Sequence, residues 1–317
     1  MASAKRSGTV RARMHRTGVN LKKQWSLQLM VVPWVIWLLI FCYIPMYGII
    51  IAFKDYSFEL GMFGSPWAGL KHFEEFLTNP AFLAILRNTL CISLYKLLVC
   101  MPAPLIFALL LNEMRFHKYK KVVQTVSYLP HFVSWVILSG IIINFLSLEG
   151  PLNNILTALH LIDNPVSYLG DPKYFWHILV ISDVWTGIGW GSIIYLAAIG
   201  SIDPNQYEAA VIDGAGRFQQ MLHVTLPALV PTIIVVMIFS LGGILNTNFD
   251  QIYLLRNPMN LDVAEVIDTH VYTAGVGQAR YSYATAVGLF KSVIGFVLIM
   301  LSNWFAKKIS KGEQGII

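Results

Sequence analysis

Charged residues are scarce in this chain of 317 residues: they make up 13% of it, against 56% hydrophobic residues. A soluble domain carries about 25% charged residues, so the composition argues against a soluble fold. Cysteine is scarce as well. Cys42, Cys91 and Cys100 lie inside apolar runs without a C-x-x-C or a metal-ligand spacing, and we predict that they are packing residues.

Several catalytic signatures are missing. The sequence contains no G-x-x-x-x-G-K-[ST] phosphate loop, no H-E-x-x-H and no G-x-S-x-G. The chain is therefore not expected to hydrolyse ATP by itself, and no catalytic residue, metal site or cofactor of its own is predicted. An enzyme acting inside the membrane is the weakest of the functional classes considered.

The apolar residues form six long runs. About 20 apolar residues in a helix cross the hydrocarbon core of a bilayer. The sequence thus predicts an all-α integral membrane protein with six transmembrane helices. The first run is too long for a signal peptide and lacks a small-residue cleavage site, so we expect it to be retained. The predicted spans are 29–53, 89–111, 122–148, 174–199, 226–245 and 283–305.

Basic residues are distributed unequally around these spans. Fifteen lie before the first span, in the second-to-third and fourth-to-fifth loops and in the tail, whereas the other loops hold six together with eleven acids. The positive-inside rule therefore places both termini in the cytoplasm. The predicted organisation is a basic N-terminal segment (1–28), a six-helix domain (29–305) and a cytoplasmic tail (306–317). The positive charge is attributed to topology and contact with membrane lipid, and no nucleic acid partner is expected.

Two of the outer loops carry local predictions. The apolar stretch FLTNPAFLAIL in the first loop predicts a short interfacial helix. The second loop, 149–173, is rich in Pro, Asn and Asp and predicts turns.

The inner loop at 201–227 has a more specific pattern. Asp203 is a suitable helix N-cap, and Pro204 suits the first helical position. The pattern predicts a helix from Pro204 to about Ile212 on the cytoplasmic side.

A glycine turn follows that helix. Gly214 and Gly216 are expected to end it, and a second short helix is predicted from Arg217 to about Val224. The physical pattern leaves two interpretations open for this pair of helices. They form either a docking element for another protein or an ordinary interfacial linker.

The same loop, EAAVIDGAGRFQQMLHVTLP, resembles the EAA motif of type I ABC importer permeases. Met221 and Val224 stand where the family usually has Phe and Ile, and both exchanges keep an apolar contact. The residues that match the motif in type and spacing are Glu208, Ala209, Ala210, Asp213, Gly214, Ala215, Leu226 and Pro227.

The resemblance extends over most of the chain. WAGLKHFEEFLTNPAFLAILRNTL resembles the segment that leads into the second span of sugar-importer permeases. YLPHFVSWVI, DVWTGIGWGSIIYLAAIGSI and YSYATAVGLFKSVIGFVLI resemble the branch associated with polysaccharide or aldouronate uptake.

The resemblance implies a permease subunit of an ATP-binding-cassette importer for a sugar or oligosaccharide in the bacterial cell membrane. It implies a second permease, expected to be a different chain, two ATPase subunits that bind ATP and Mg, and an extracellular solute-binding lipoprotein. The EAA loop would sit in a groove of an ATPase subunit. There it would couple ATP-driven closure to the side on which the cavity opens.

Three ionisable residues fall inside predicted spans. Lys96, Asp183 and Lys291 lie at similar depth in the outer leaflet, and charges at such depth usually face a cavity or a partner. One hypothesis is that Asp183 pairs with Lys291 or Lys96 along a translocation cavity. The alternative is that both lysines snorkel to the surface and Asp183 bonds locally.

Aromatic residues add to this pattern. Trp176, Asp183 and Trp190 recur every seven residues and share a helical face, which suits a sugar site. Trp190 is a candidate for the pathway, with plain packing as the alternative, whereas Trp176 is expected to belong to the interfacial aromatic belt. His131 follows Pro130, and we expect it to satisfy local hydrogen bonds rather than bind metal.

An ion-coupled secondary transporter is the alternative function, with Asp183 and the two lysines as a proton relay. Many such transporters contain paired internal repeats, and no convincing repeat is present in this sequence. The EAA loop would also be unexplained.

Overall fold

The computed structural model describes residues 24–309, and the surroundings of side chains up to residue 301. Most of the basic N-terminal segment and the end of the tail lie outside the described residues. Within the described residues, five helices are long and apolar enough to cross a membrane, or six when a bent pair counts as one span. The prediction of an all-α membrane fold is confirmed.

The helices are connected by short segments and, at the predicted outer side, by loops with helices of their own. Apart from two single-turn helices at Gly61–Gly64 and Leu261–Ala264, the helices of the described residues are α1 (Trp25–Phe53), α2 (Lys71–Leu77), α3 (Phe82–Asn112), α4 (His117–Phe132), α5 (Trp135–Phe145), α6 (Pro151–Ala158), α7 (Pro172–Gly200), α8 (Pro204–Ile212), α9 (Arg217–Gly242), α10 (Phe249–Leu255), α11 (Ile267–Tyr272) and α12 (Tyr281–Ile309).

The first span is attached to the rest of the molecule at one end only. Trp25–Leu38 has no buried residue. The helix then passes through a π-turn at Leu39–Tyr43 and tightens to a 3-10 helix at Tyr47–Phe53, which packs against α12. Lipid tails are as apolar as these side chains, so the free part of α1 is compatible with contact with lipid alone.

The third span is not the single helix predicted over 122–148. Between α4 and α5 the chain bends by 105°. The end of α4 is a 3-10 turn that contains Pro130, and Val133 and Ser134 are extended. Proline has no backbone N–H to donate and restricts the backbone conformation of the residue before it. The helical hydrogen bonding is therefore weakened at this point. The bend itself lets α5 pack between α7 and α10.

The second helix predicted in the inner loop is not a separate element. Arg217–Gln220 continues through a π-turn at Met221–Thr225 into Leu226–Gly242. Pro227 lies just after the π-turn, and its missing N–H removes one backbone hydrogen bond from the continuous helix. The segment predicted as a second short helix is therefore the first part of the fifth span.

Two predictions for the outer loops are also wrong. The stretch FLTNPAFLAIL is divided between the end of α2 and the beginning of α3, because the Asn79 side chain accepts a hydrogen bond from Ala81 N at 2.8 Å and forms a turn. The segment 149–173 contains α6 as well as turns. Gly150 precedes α6 and Pro151 opens it, a start signal that outweighs the polar composition.

The fourth span, α7, is the centre of the bundle and packs against α3, α4 and α9. Gly189 allows the closest approach, since a Cβ at this position would lie 2.2 Å from the Ser127 carbonyl oxygen of α4. At the end of α7 that the charge distribution predicts to lie outside, Phe175 and Leu179 form a buried cluster with Ile142 and Ile252.

Candidate functional site

The loop that carries the EAA motif, between the fourth and fifth spans, is built around α8. The Asp203 side chain accepts a hydrogen bond from Asn205 N at 3.0 Å, Pro204 occupies the first helical position and Ile212 is the last helical residue. No residue of α8 is buried, and both Glu208 and Ala209 are exposed. The motif therefore presents a short, capped helix on the surface of the bundle.

The turn after α8 depends on one glycine. Gly214 has a φ of 82°, in the left-handed region, and Ala215 N donates a hydrogen bond to the Ala210 carbonyl at 2.8 Å. Asp213 is the C-cap residue of α8. Gly216 has an ordinary φ of −70° and precedes α9.

A hydrogen bond connects α8 to the fifth span. The hydroxyls of Tyr207 and Thr225 lie 2.9 Å apart, and Thr225 is buried at the π-turn of α9. Leu226 and Pro227, the last residues of the EAA motif, follow this turn directly. The motif thus includes both the exposed helix and the start of the span to which it is bonded.

Inside the bundle, Lys96 is buried and has three polar partners. Its ammonium lies 2.7 Å from the Asp183 carboxylate and donates to the Thr247 carbonyl at 2.8 Å and to the Gln251 side chain. Asn248 donates to the other oxygen of Asp183 at 3.3 Å. The pair therefore connects α3 to α7 and holds the segment between α9 and α10.

Gln251 completes this network. Its amide donates to the Leu179 carbonyl at 2.8 Å and to the Ser182 hydroxyl at 2.7 Å. Asn248 precedes α10 with a φ of 65°, a conformation that Asn adopts more readily than most residues. The sequence analysis missed these residues, although the polar run Asn-Thr-Asn at 246–248 directly after an apolar span was a visible signal.

Lys291 belongs to a different site. Its ammonium lies 2.6 Å from the Asp268 carboxylate of α11 and 3.4 Å from the Asn246 side chain. The structure therefore selects Lys96 over Lys291 as the partner of Asp183. Both lysines have partners inside the bundle, so the snorkelling alternative is wrong.

The two tryptophans of α7 differ in their surroundings. Trp190 stacks on His131 with ring centroids 4.6 Å apart and an interplanar angle of 6°. Trp176 donates from its indole N–H to the Val263 carbonyl at 2.9 Å and packs against the outer core cluster. The place of Trp176 in the interfacial aromatic belt stays a prediction. His131 was expected to satisfy local hydrogen bonds. Within the described residues its side chain makes none, and its ring stacks on Trp190 instead.

Two cavities flank the Lys96–Asp183 pair. One, of about 180 Å³, is lined by Ser93 and Lys96, and the other, of about 250 Å³, by Asp183, Trp190 and Tyr195. Within the part of the chain that the structure describes, the buried hydroxyls of Ser93 and Tyr195 have no hydrogen-bond partner. Buried polar groups are rarely left unpaired, so these cavities are suited to water or a polar solute.

A second polar network lies in the loops that are predicted to be outside the cell. His270 lies 3.0 Å from Glu265 and 2.9 Å from the Tyr283 hydroxyl. The hydrogen bond from His270 holds the pKa of Glu265 below its ordinary value. The network joins α11 to the beginning of α12.

The architecture described above is that of the membrane-embedded subunit of a solute transport system. Residues 101–311 match the family described as the binding-protein-dependent transport system inner membrane component, and the chain belongs to this family. It is therefore a multi-pass protein of the bacterial cell membrane, and the resemblance to ABC importer permeases is confirmed.

Individual relatives agree with this assignment. Protein LplB of Bacillus subtilis (strain 168) is 47% identical over 289 residues, which cover 91% of this chain and 90% of LplB. The polygalacturonan/rhamnogalacturonan transport system permease protein YteP of the same organism is 46% identical over 298 residues, or 94% and 92% of the two chains.

A solved structure shares the fold over nearly the whole chain. It is a chain of a bacterial ABC transporter involved in the import of the acidic polysaccharide alginate, with 40% sequence identity and a TM-score of 0.85. The match covers 93% of this chain and 99% of the other. A second structure of an alginate transporter, in complex with a periplasmic protein bound to an alginate pentasaccharide, matches with a TM-score of 0.84.

Proposed function

We propose that this chain is one permease subunit of an importer that moves a sugar or oligosaccharide into the cell and is driven by separate ATPase subunits. Family membership and the names of the relatives, which include transporters of polygalacturonan and alginate, support this function. ATP and Mg would bind to the ATPase subunits, and this chain would supply half of the pathway.

The observation that carries the proposal is the position of α8. This helix is capped, exposed and bonded through Tyr207 to Thr225 of the fifth span. A helix that fits a groove of an ATPase subunit would therefore transmit movement of that subunit directly to a membrane span. Glu208, Ala209 and Ala210 would form the contact surface. Gly214 would set the direction in which the backbone turns from α8 towards α9.

The pathway would run along the cavities beside the Lys96–Asp183 pair. Their unpaired hydroxyls and the Trp190 ring offer the polar groups and the aromatic face that a sugar requires. Lys291 lines a different region, and we assign to it the positioning of α11 against α12 next to the pathway.

A complete importer would contain a second, different permease, two ATPases and a binding protein outside. The importer would alternate between an outward-open and an inward-open state. A ligand shifts such an equilibrium only if it binds one state more tightly than the other, so ATP binding would have to favour one of the two. The Lys96–Asp183 pair also suits an ion-coupled secondary transporter. The experiment that tests the importer should therefore also distinguish it from this second function.

Affinity isolation of this chain from its native membrane in mild detergent provides the test. We expect mass spectrometry to recover an ATPase, a second permease with an EAA motif and a solute-binding lipoprotein. The variant Ala209→Trp should lose the ATPase and keep the second permease, because the larger ring blocks close approach to α8. Leu159→Trp, which places the same indole ring at an exposed position far from α8, is the control. Recovery of the wild-type chain alone would contradict the proposal and favour ion coupling.

A further inference from the structure

The two cavities beside the Lys96–Asp183 pair follow one another along the bundle. On α3, the cavity of about 180 Å³ is lined by residues within 93–101 and the cavity of about 250 Å³ by residues within 100–104. Since α3 is predicted to run from the outside inwards, we call them the outer and the inner cavity.

The helix α9, which is predicted to run in the opposite direction, gives the same order. The outer cavity is lined by residues within 240–246, whereas the inner cavity is lined by Val236 and Ser240. The two cavities therefore meet at one level of the bundle. Three residues line both of them and form the wall at this level, namely Cys100, Met101 and Ser240.

The three residues of this wall differ in how firmly their side chains are held. The Cys100 thiol donates a weak hydrogen bond to the Val180 carbonyl at 3.9 Å, and the Ser240 hydroxyl donates to the Val236 carbonyl at 2.9 Å. Met101 has no donor group, and its unbranched side chain turns about three bonds. Met101 is therefore the member of the wall that can move most easily.

The backbone of α3 is also weakest at Met101. This residue separates two helical stretches of α3, and its N–H donates to the Leu97 carbonyl over a long distance of 3.4 Å. Pro102 and Pro104 follow, and neither can donate a helical hydrogen bond. Helices kink at such positions, so a small bend would carry the Met101 side chain away from the wall.

The wall is apolar where the cavities on either side are polar. Lys96 lines the outer cavity and Asp183 the inner one. Ser93 and Tyr195, one on each side, have buried hydroxyls without a hydrogen-bond partner in the described part of the chain. Each cavity therefore suits water or a polar solute, whereas an apolar constriction such as Met101 excludes both.

We propose that Met101 is an apolar gate between the outer and the inner cavity. Its side chain closes the passage in this structure, and a polar solute passes only when that side chain turns away from the wall. The gate follows from the order of the cavities along α3 and α9. Its part in sugar import rests on the proposed function.

Thiol labelling in intact cells, where the chain keeps its native partners, tests the gate. The native cysteines are replaced by serine, and Ile188→Cys is introduced because Ile188 lines only the inner cavity. Sulfonatoethyl methanethiosulfonate, an anionic thiol reagent that does not cross membranes, is added outside. We expect Met101→Ala to raise the labelling rate of the Ile188→Cys chain about tenfold, which corresponds to a barrier lower by about 1.4 kcal/mol.

Three further variants serve as controls. Met101→Leu keeps an apolar side chain of similar size and should retain the slow rate, as should Leu98→Ala, since Leu98 is 64% exposed and lines neither cavity. Ser93→Cys, at a residue that lines only the outer cavity, should be labelled equally with and without Met101→Ala, which also shows that the chain is folded. The proposal is wrong if Met101→Ala leaves the Ile188→Cys rate unchanged or if Leu98→Ala raises it equally.

The connection of the gate to ATP is measured separately, in membrane vesicles loaded with ATP and vanadate, which holds an ATPase in the state that follows hydrolysis. We expect this treatment to change the labelling rate of the Ile188→Cys chain with Met101 in place. With Met101→Ala the rate should not respond, because the passage is already open. No response in either chain would contradict the importer function, whereas the effect of Met101→Ala without ATP still decides the gate.

Discussion

At the scale of single residues, Gly214 is the position at which the EAA loop has least freedom to vary. Its φ of 82° is costly for residues with a Cβ, although no neighbouring atom lies within 4 Å of the place that a Cβ would occupy. The constraint is therefore purely one of backbone conformation.

We expect Gly214→Ala to destabilise the turn by about 1 kcal/mol, the cost of a left-handed residue with a Cβ. Hydrogen exchange of the α8 amides should then become about fivefold faster. Gly216→Ala is the matched control, because Gly216 has a φ of −70°. Similar acceleration in both variants would show that the loss of glycine, and not the left-handed conformation, is responsible.

The Lys96–Asp183 pair gives a second prediction at this scale. Lys96→Met should destabilise the protein by about 2 kcal/mol, because the partly buried Asp183 carboxylate loses its main partner. A double-mutant cycle with Asp183→Leu, followed by unfolding in detergent, should show strong coupling between the two positions. The same cycle between Asp183 and Lys291 should be additive, since Lys291 pairs with Asp268. Coupling in the second cycle would contradict the observed pairing.

The partner of Asp183 shows what sequence reasoning could and could not supply. Distance along an apolar run predicts the depth of a charge in the membrane, so Lys96 and Lys291 were equally plausible. The choice between them depends on how α3 and α12 are rotated and placed around α7, which is a property of the packed bundle. Gln251 and Thr247 were missed because the segment after the fifth span was assigned to an outer loop.

At the scale of elements, α8 and the third span represent the two extremes of predictability. The bounds of α8 follow from Asp203, Pro204 and the glycine turn, all within a few residues, and the structure agrees with them. The bend after Phe132 has a local weakness in Pro130, but its angle is set by the packing of α5 against α7 and α10. Sequence periodicity contains no information on that packing.

The bond between α8 and α9 leads to a prediction at the element scale. Thr225→Val keeps the shape of the buried side chain and removes the hydroxyl that meets Tyr207. A hydrogen bond of this kind contributes about 1 kcal/mol. We therefore expect fewer sugar molecules to be transported per ATP hydrolysed, with ATPase subunits still bound.

Thr225→Ser retains the hydroxyl and is the control for this experiment. It should keep the wild-type ratio of transport to hydrolysis. If both variants behave like the wild type, α8 transmits its movement by another route.

For the molecule as a whole, acidity should act through the outer network that joins α11 to α12. The pKa of Glu265 is lowered from 4.5 by the hydrogen bond from His270. A carboxylate with a lowered folded-state pKa stabilises the fold above its unfolded value, and this stabilisation is lost as the pH falls through the folded value.

Thermal unfolding of purified protein in detergent should show this dependence. We expect Glu265→Gln to be less stable than the wild type near neutral pH, and the difference to shrink as the pH falls below about 4. A difference that stays constant down to about pH 3 would show that the network stabilises through the shape of the side chain rather than its charge.

The contact between the first and the last span has a consequence for biosynthesis. The outer end of α1 packs against α12, and Tyr56 N, just after α1, donates a hydrogen bond to the Ser282 hydroxyl at 3.0 Å. A ribosome delivers α1 first and α12 last, so this end of the fold stays open until translation is nearly complete. In a stalled chain that lacks α12, the surface of α1 that normally packs against α12 would stay exposed. A membrane protease could distinguish such a chain from a complete subunit by this exposed surface.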